Sequence, residues 1–109
     1  MNYPLESNYF ALHINQITDL CRKYNVRRLF AFGSVLTDRF NEQSDVDLIV
    51  DFDKKAINDH FLNYFDFKYS LEDALGRKVD LLEDQPIRNS YLRKNIEQTK
   101  TLIYNGTLI

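Results

Sequence analysis

The sequence predicts an α/β fold in which helices pack on a small mixed three-stranded sheet, and three observations predict it. Residues 26–32, 45–52 and 78–82 form runs of strand length. Residues 8–24 and 58–75 carry apolar side chains at helical intervals. The two kinds of segment alternate along the chain, which is the pattern of helices laid on a sheet. With 109 residues, a single domain spanning 1–109 is expected.

Phe10, Ile14, Ile17, Cys21 and Tyr24 recur at steps of three and four, giving an amphipathic first helix over roughly residues 8–24. Val26 to Phe32 ends in Gly33 and reads as a buried strand. Leu36 to Phe40 can form a short helix beyond the Gly33 turn. From Asp45 to Phe52 the chain alternates, with Val46, Leu48, Val50 and Phe52 on one face and Asp45, Asp47, Ile49 and Asp51 on the other. Period two over that length is a strand.

Residues 58–75 bring Tyr64, Phe67, Leu71 and Leu75 onto one helical stripe. Gly76 follows where a left-handed C-terminal cap commonly sits. Lys78 to Leu82 is the third strand, and Pro86 can open a last helical region with Leu92, Ile96 and Leu102-Ile103 as its apolar contacts.

Bulk properties exclude several classes. A formal net charge of −2 with no long basic run argues against a sizeable nonspecific nucleic-acid surface. The one cysteine, Cys21, cannot form an internal disulfide and suits a reducing compartment. Nothing approaches the roughly 18 consecutive apolar residues of a membrane span, so no membrane association and a cytoplasmic location are expected.

The chemistry is concentrated in one spacing. Gly33-Ser34 is followed, after ten residues, by Asp45-Val46-Asp47 at the start of the second strand. Residues two apart on a strand share a face, about 6.6–6.8 Å apart along the chain. Their oxygens can meet on one metal ion, or on two ions about 3.5–4 Å apart. A glycine turn with a hydroxyl offers backbone N–H groups suited to phosphate oxygens. The bland alternative is a turn at Ser44-Asp45 with Asp47 solvated. Asp is disfavoured in strands, however, and the neighbouring turn favours a nucleotide-handling site.

Gly33-Ser34-x10-Asp45-x-Asp47 resembles the signature of the polymerase-β-like nucleotidyltransferase superfamily. A chain this short is similar to the superfamily's minimal nucleotidyltransferase branch. The likeness runs from about Asn25 to about Tyr104, because Leu75-Gly76-Arg77-Lys78-Val79-Asp80-Leu81-Leu82 also looks like that branch's third-carboxylate strand. The resemblance implies that Asp45, Asp47 and Asp80 are catalytic and hold Mg²⁺, with two ions expected. It implies that Gly33 and Ser34 bind the triphosphate of ATP.

Bland readings stand beside these. Asp80 lies between Val79 and Leu81; it can pair with Arg77 or Lys78, or lie exposed at a sheet edge. Ser34 can cap the segment after the turn, a role compatible with holding phosphate. Many relatives carry basic residues soon after the Gly-Ser pair. Here Val35, Leu36, Thr37 and Asp38 follow, and Arg39 is the first cation. Arg39 is the candidate for charge compensation, with a solvated surface position the equal alternative.

Asp51 and Asp53 share the face of Asp45 but lie about 20 Å or more from it, too far to share its site. His13 reads as a boundary residue and His60 as exposed or capping. Tyr64, Phe65, Phe67 and Tyr69 run around a helix rather than along one stripe. Such a helix is buried or meets a partner, and a generously aromatic core is the equal alternative.

The expected activity is Mg²⁺-dependent transfer of AMP from ATP to a hydroxyl acceptor. The family resemblance implies an antitoxin whose acceptor is a tyrosine of a partner HEPN-type toxin ribonuclease. The alternatives are a non-catalytic binding antitoxin and a small-molecule nucleotidyltransferase completed by dimerisation.

Overall fold

A computed structural model describes residues 4–33, 44–83 and 100–106. Helix α1 (Pro4–Lys23) leads into strand β1 (Val26–Phe32); β2 (Val46–Phe52) follows. A short 3-10 turn (Lys54–Ala56), helix α2 (His60–Leu75), β3 (Val79–Glu83) and β4 (Thr101–Asn105) complete the order. The sheet runs β3-β2-β1-β4, with β2 and β3 parallel and β1 antiparallel to both β2 and β4.

Both helices pack on one face of this sheet. Phe10, Ile17 and Cys21 of α1 join Phe67, Leu71 and Leu75 of α2 over Leu29, Val46, Leu48, Val50, Val79 and Leu81. The β2 alternation is as expected: Val46, Leu48, Val50 and Phe52 face the helices. Ile49 turns the other way and packs with Phe30 and Phe32. Ile14, expected in the apolar stripe of α1, lies at its edge and is 37% exposed.

Local chemistry sets the helix ends. The Asp59 carboxylate accepts from Leu62 N–H at 3.1 Å, the N-cap of α2. Gly76 ends α2 in the left-handed region, φ 64°, as its position predicts. After α1, Asn25 takes φ 60°, which Asn tolerates better than most residues. Its carbonyl accepts from Asp53 N–H at 2.8 Å, and Asn63 Nδ2 donates to the Tyr24 carbonyl at 2.8 Å.

Among the described residues the sheet has four strands, not three, because Leu102-Ile103 belong to a strand rather than to a last helix. Thr101 to Tyr104 is a short run of β-branched, leucine and aromatic residues, which periodicity alone cannot assign. Pairing with β1 decides it: Leu29 lies opposite Tyr104, and Phe30 opposite Leu102. The short helix expected over 36–40 and the helical region expected from Pro86 through Leu92 and Ile96 lie outside the described residues.

Candidate active site

The parallel register places Asp47 on β2 directly opposite Asp80 on β3. Neighbouring strands lie about 4.8 Å apart. Val46, Leu48, Val79 and Leu81 all enter the helical core, so alternation directs both carboxylates to the opposite face of the sheet. Asp47 is half-buried and Asp80 exposed. Of the alternatives for Asp80, exposure at a sheet edge is the one found, because β3 is an edge strand among the described residues.

On the other side of Asp47 stands β1, whose Phe32 is its antiparallel partner. The next residue, Gly33, has φ 75°, and a Cβ built on it would lie 2.4 Å from Asp47 Oδ2. Only a residue without a side chain lets the turn approach the carboxylate this closely. The glycine turn and the second carboxylate of the Asp-x-Asp pair therefore meet in space. Ser34 and Arg39 lie outside the described residues.

Asp45 is exposed just before β2, and its backbone neighbours are tied down. Arg77 Nη1 donates to the Ser44 carbonyl at 3.0 Å, and Val46 N–H donates to the Lys78 carbonyl at 3.0 Å. Glu72 in turn accepts from Val79 N–H at 2.9 Å, holding the start of β3 against α2. Arg77 and Glu72 thus set the height of both carboxylate strands. The sequence reading missed this role, since a guanidinium-to-carbonyl bond 33 residues apart leaves no local signal.

Tyr64 was also missed. Its hydroxyl donates to the Leu81 carbonyl at 2.5 Å, one residue from Asp80. Burial, then the charges of Glu83 and Asp80, then Tyr69, push its phenol above the ordinary value. His60 does not cap α2. It pairs with Glu83 and stands edge-on to the Phe52 ring at 5.6 Å. Asp51 is committed to Arg28, whose Nη2 and Nε lie 2.8 and 3.0 Å from Oδ2.

The aromatics of α2 divide in two. Phe67 is fully buried, whereas Phe61 and Tyr69 are exposed and flank Phe65, with ring centroids 4.8 and 5.9 Å from it. This outward row lies on the helix that carries Tyr64.

Among the described residues, no three His, Cys, Asp or Glu side chains are gathered into a ready-made metal site. The donors nevertheless suit a hard cation such as Mg²⁺, which takes one or two carboxylates and completes its shell with water and substrate phosphates. Asp47 and Asp80, adjacent in register and on one face, supply such a pair. Asp45 precedes Asp47 by two residues at the same end of the sheet.

The polymerase-β nucleotidyltransferase family matches residues 15–107. A candidate protein adenylyltransferase of Methanocaldococcus jannaschii is 35% identical over 99 residues, covering 84% of this chain and 96% of that protein. A candidate minimal nucleotidyltransferase of known structure superposes with a TM-score of 0.68 at 26% identity, covering 84% of this chain and 90% of that one. A complex of a tri-AMPylated Shewanella oneidensis HEPN toxin with its MNT antitoxin also shares the fold. Its TM-score is 0.60 at 20% identity, over 90% of this chain and 74% of that one. A family match over most of the chain, with the Asp47–Asp80 pair set beside the Gly33 turn, gives the conclusion that this chain belongs to the polymerase-β nucleotidyltransferase family, the nucleotide-transferring enzymes.

Proposed function

We propose that this nucleotidyltransferase moves AMP from ATP to a hydroxyl on a partner protein, a tyrosine of a HEPN-type toxin, and so acts as an antitoxin. The observation that carries the reading is the register pairing of Asp47 with Asp80 beside the close-approach turn at Gly33. The similar M. jannaschii protein, a candidate protein adenylyltransferase, and the AMPylated toxin in the structurally similar complex support AMP and a protein acceptor.

Asp45, Asp47 and Asp80 are the residues assigned to hold Mg²⁺, two ions being expected. When bound there, Mg²⁺ neutralises the triphosphate and the charge that grows on the departing pyrophosphate. Gly33 and Ser34 are assigned to grip the phosphates, with Arg39 compensating their charge. The acceptor oxygen attacks the α-phosphorus, forming a new P–O bond as the bond to pyrophosphate breaks. The hydroxyl proton passes toward the exposed Asp80 carboxylate, which orients that hydroxyl. Catalysis is then mostly positioning, and Arg77 and Glu72 provide it by holding the strands that carry the carboxylates.

The row of exposed Phe61 and Tyr69 about half-buried Phe65 favours a protein acceptor over a small molecule, since a surface of this kind suits a macromolecular contact. Labelled ATP tests the reaction class. Label in the α-phosphate should enter the partner protein, and label in the γ-phosphate should not. Transfer of γ-label would mean kinase chemistry and overturn the reading.

A further inference from the structure

A second concave site lies at the other end of the sheet. Asp47 and Asp53 are separated by six residues of chain, about 20 Å along the strand direction. Around Phe52 and Tyr104 there opens a groove of about 830 Å³, rimmed by Arg22, Arg27, Lys54 and Lys55. A volume of this order is that of a small-ligand pocket. The chain as a whole carries −2, so four cations at one groove are a local reversal of its charge.

Two carboxylates, Asp51 and Asp53, also line the groove. Asp51 is neutralised by Arg28 at 2.8 Å, which leaves Asp53 against the four cations. No described residue pairs with the side chains of Arg22, Arg27, Lys54 or Lys55. A helix C-terminus accounts for Arg22, where a cation offsets the negative end of α1. It does not account for Arg27, and the single 3-10 turn of Lys54–Ala56 is too short to offer Lys54 and Lys55 a comparable dipole.

The backbone sets Arg27 deliberately apart. Val26 pairs with Phe52 and Arg28 with Asp51, so Arg27 is the extra residue of a β-bulge and is exposed. Bulges re-aim a side chain and recur beside functional sites. The opposite rim is equally firm. Asp53 N–H is bonded to the Asn25 carbonyl at 2.8 Å, and the Asp53 carbonyl accepts from Ala56 N–H at 3.0 Å. These bonds fix residues 25–27 and 53–56 against each other, so the groove is preformed.

We propose that this groove is a second anion site that takes a compact polyphosphate, free or as part of a nucleoside polyphosphate. It is independent of the carboxylate site. Guanidinium and ammonium groups around one cavity match closely spaced phosphates. Among the described residues these four cations ring one groove rather than run in a stripe, which favours a compact ligand over a nucleic-acid strand.

The test is a titration of the ¹⁵N-labelled chain with sodium tripolyphosphate in EDTA, which silences metal-dependent binding at the carboxylate end. Shifts should gather at residues 22–27 and 52–56 and persist in the Asp45→Asn/Asp47→Asn variant. Lys54→Glu/Lys55→Glu should weaken binding at least tenfold, and Arg27→Gln should weaken it separately, with melting temperatures near that of the parent. ATP in EDTA producing the same shifts would show that the polyphosphate is what is recognised; stronger binding of ATP would add its nucleoside. Shifts confined to residues 33 and 45–47, or none at millimolar tripolyphosphate, would overturn the proposal. So would tighter binding of a single-stranded oligonucleotide across the same residues.

Discussion

Gly33 and Asp47 are in contact across two strands: a methyl group added to Gly33 would stand 2.4 Å from the Asp47 carboxylate. The turn and the carboxylate therefore cannot vary independently. Gly76 offers a control, since it has a similar φ of 64° but open space around its missing Cβ.

Gly76→Ala should cost about 1–2 kcal/mol, the left-handed backbone penalty alone. Gly33→Ala should cost roughly 1–3 kcal/mol more, because overpacking adds to the same strain. Urea denaturation of both variants measures the difference. In an Asp47→Gly background the excess at Gly33 should shrink, and an unchanged excess would show that the contact is not its source.

Arg77 should behave as a positioning residue. Arg77→Met removes the bond to the Ser44 carbonyl and frees the segment that carries Asp45. A fall in kcat of about tenfold or more is expected, with unfolding free energy lowered by about 1 kcal/mol. Equal loss in Asp45→Asn and in the Arg77→Met/Asp45→Asn double variant would confirm that both changes act on one group.

Cys21 is fully buried, and burial pushes its thiol from 9.0 up to about 12. The folded-state value is the higher one, so stability is fully present below pH 9 and is lost as pH rises from there toward 12. Between pH 9 and 11 the parent should lose stability more steeply than Cys21→Ala, as read from urea midpoints at each pH. Parallel pH profiles would show that the thiol ionises freely in the folded state.

Phe67 anchors α2 to the sheet, with ring centroids 5.8 Å from Phe52 and 5.9 Å from Tyr24. Phe67→Ala should cost about 3–5 kcal/mol. Phe65→Ala, which opens the outward row and removes one edge contact with Tyr64, should cost far less. Thermal melts of the two separate core from surface.

Much of this is legible in the sequence. The alternation from Val46 to Phe52 placed Asp47 opposite the helical core, and the stripe Phe67, Leu71 and Leu75 with Gly76 after it delimited α2 at its C-terminal end. What escaped reading depended on partners distant in sequence. Leu102-Ile103 became a strand only because β1 has a free edge to pair. Arg77 reached across to Ser44, and Asp51 to Arg28, through bonds that no local pattern announces. Asp80 was readable as a strand residue, but its exposure only as one alternative, because exposure follows from strand order.

Intact-mass spectrometry of the partner protein distinguishes transfer of AMP from binding alone. The HEPN-type protein proposed as its partner would be incubated with this chain, ATP and Mg²⁺, and weighed. A gain of one or more adenylyl groups is expected, and it should disappear with Asp47→Asn and, separately, with Asp80→Asn. An unchanged mass despite a stable complex, or a gain that survives both substitutions, would contradict the proposed transfer.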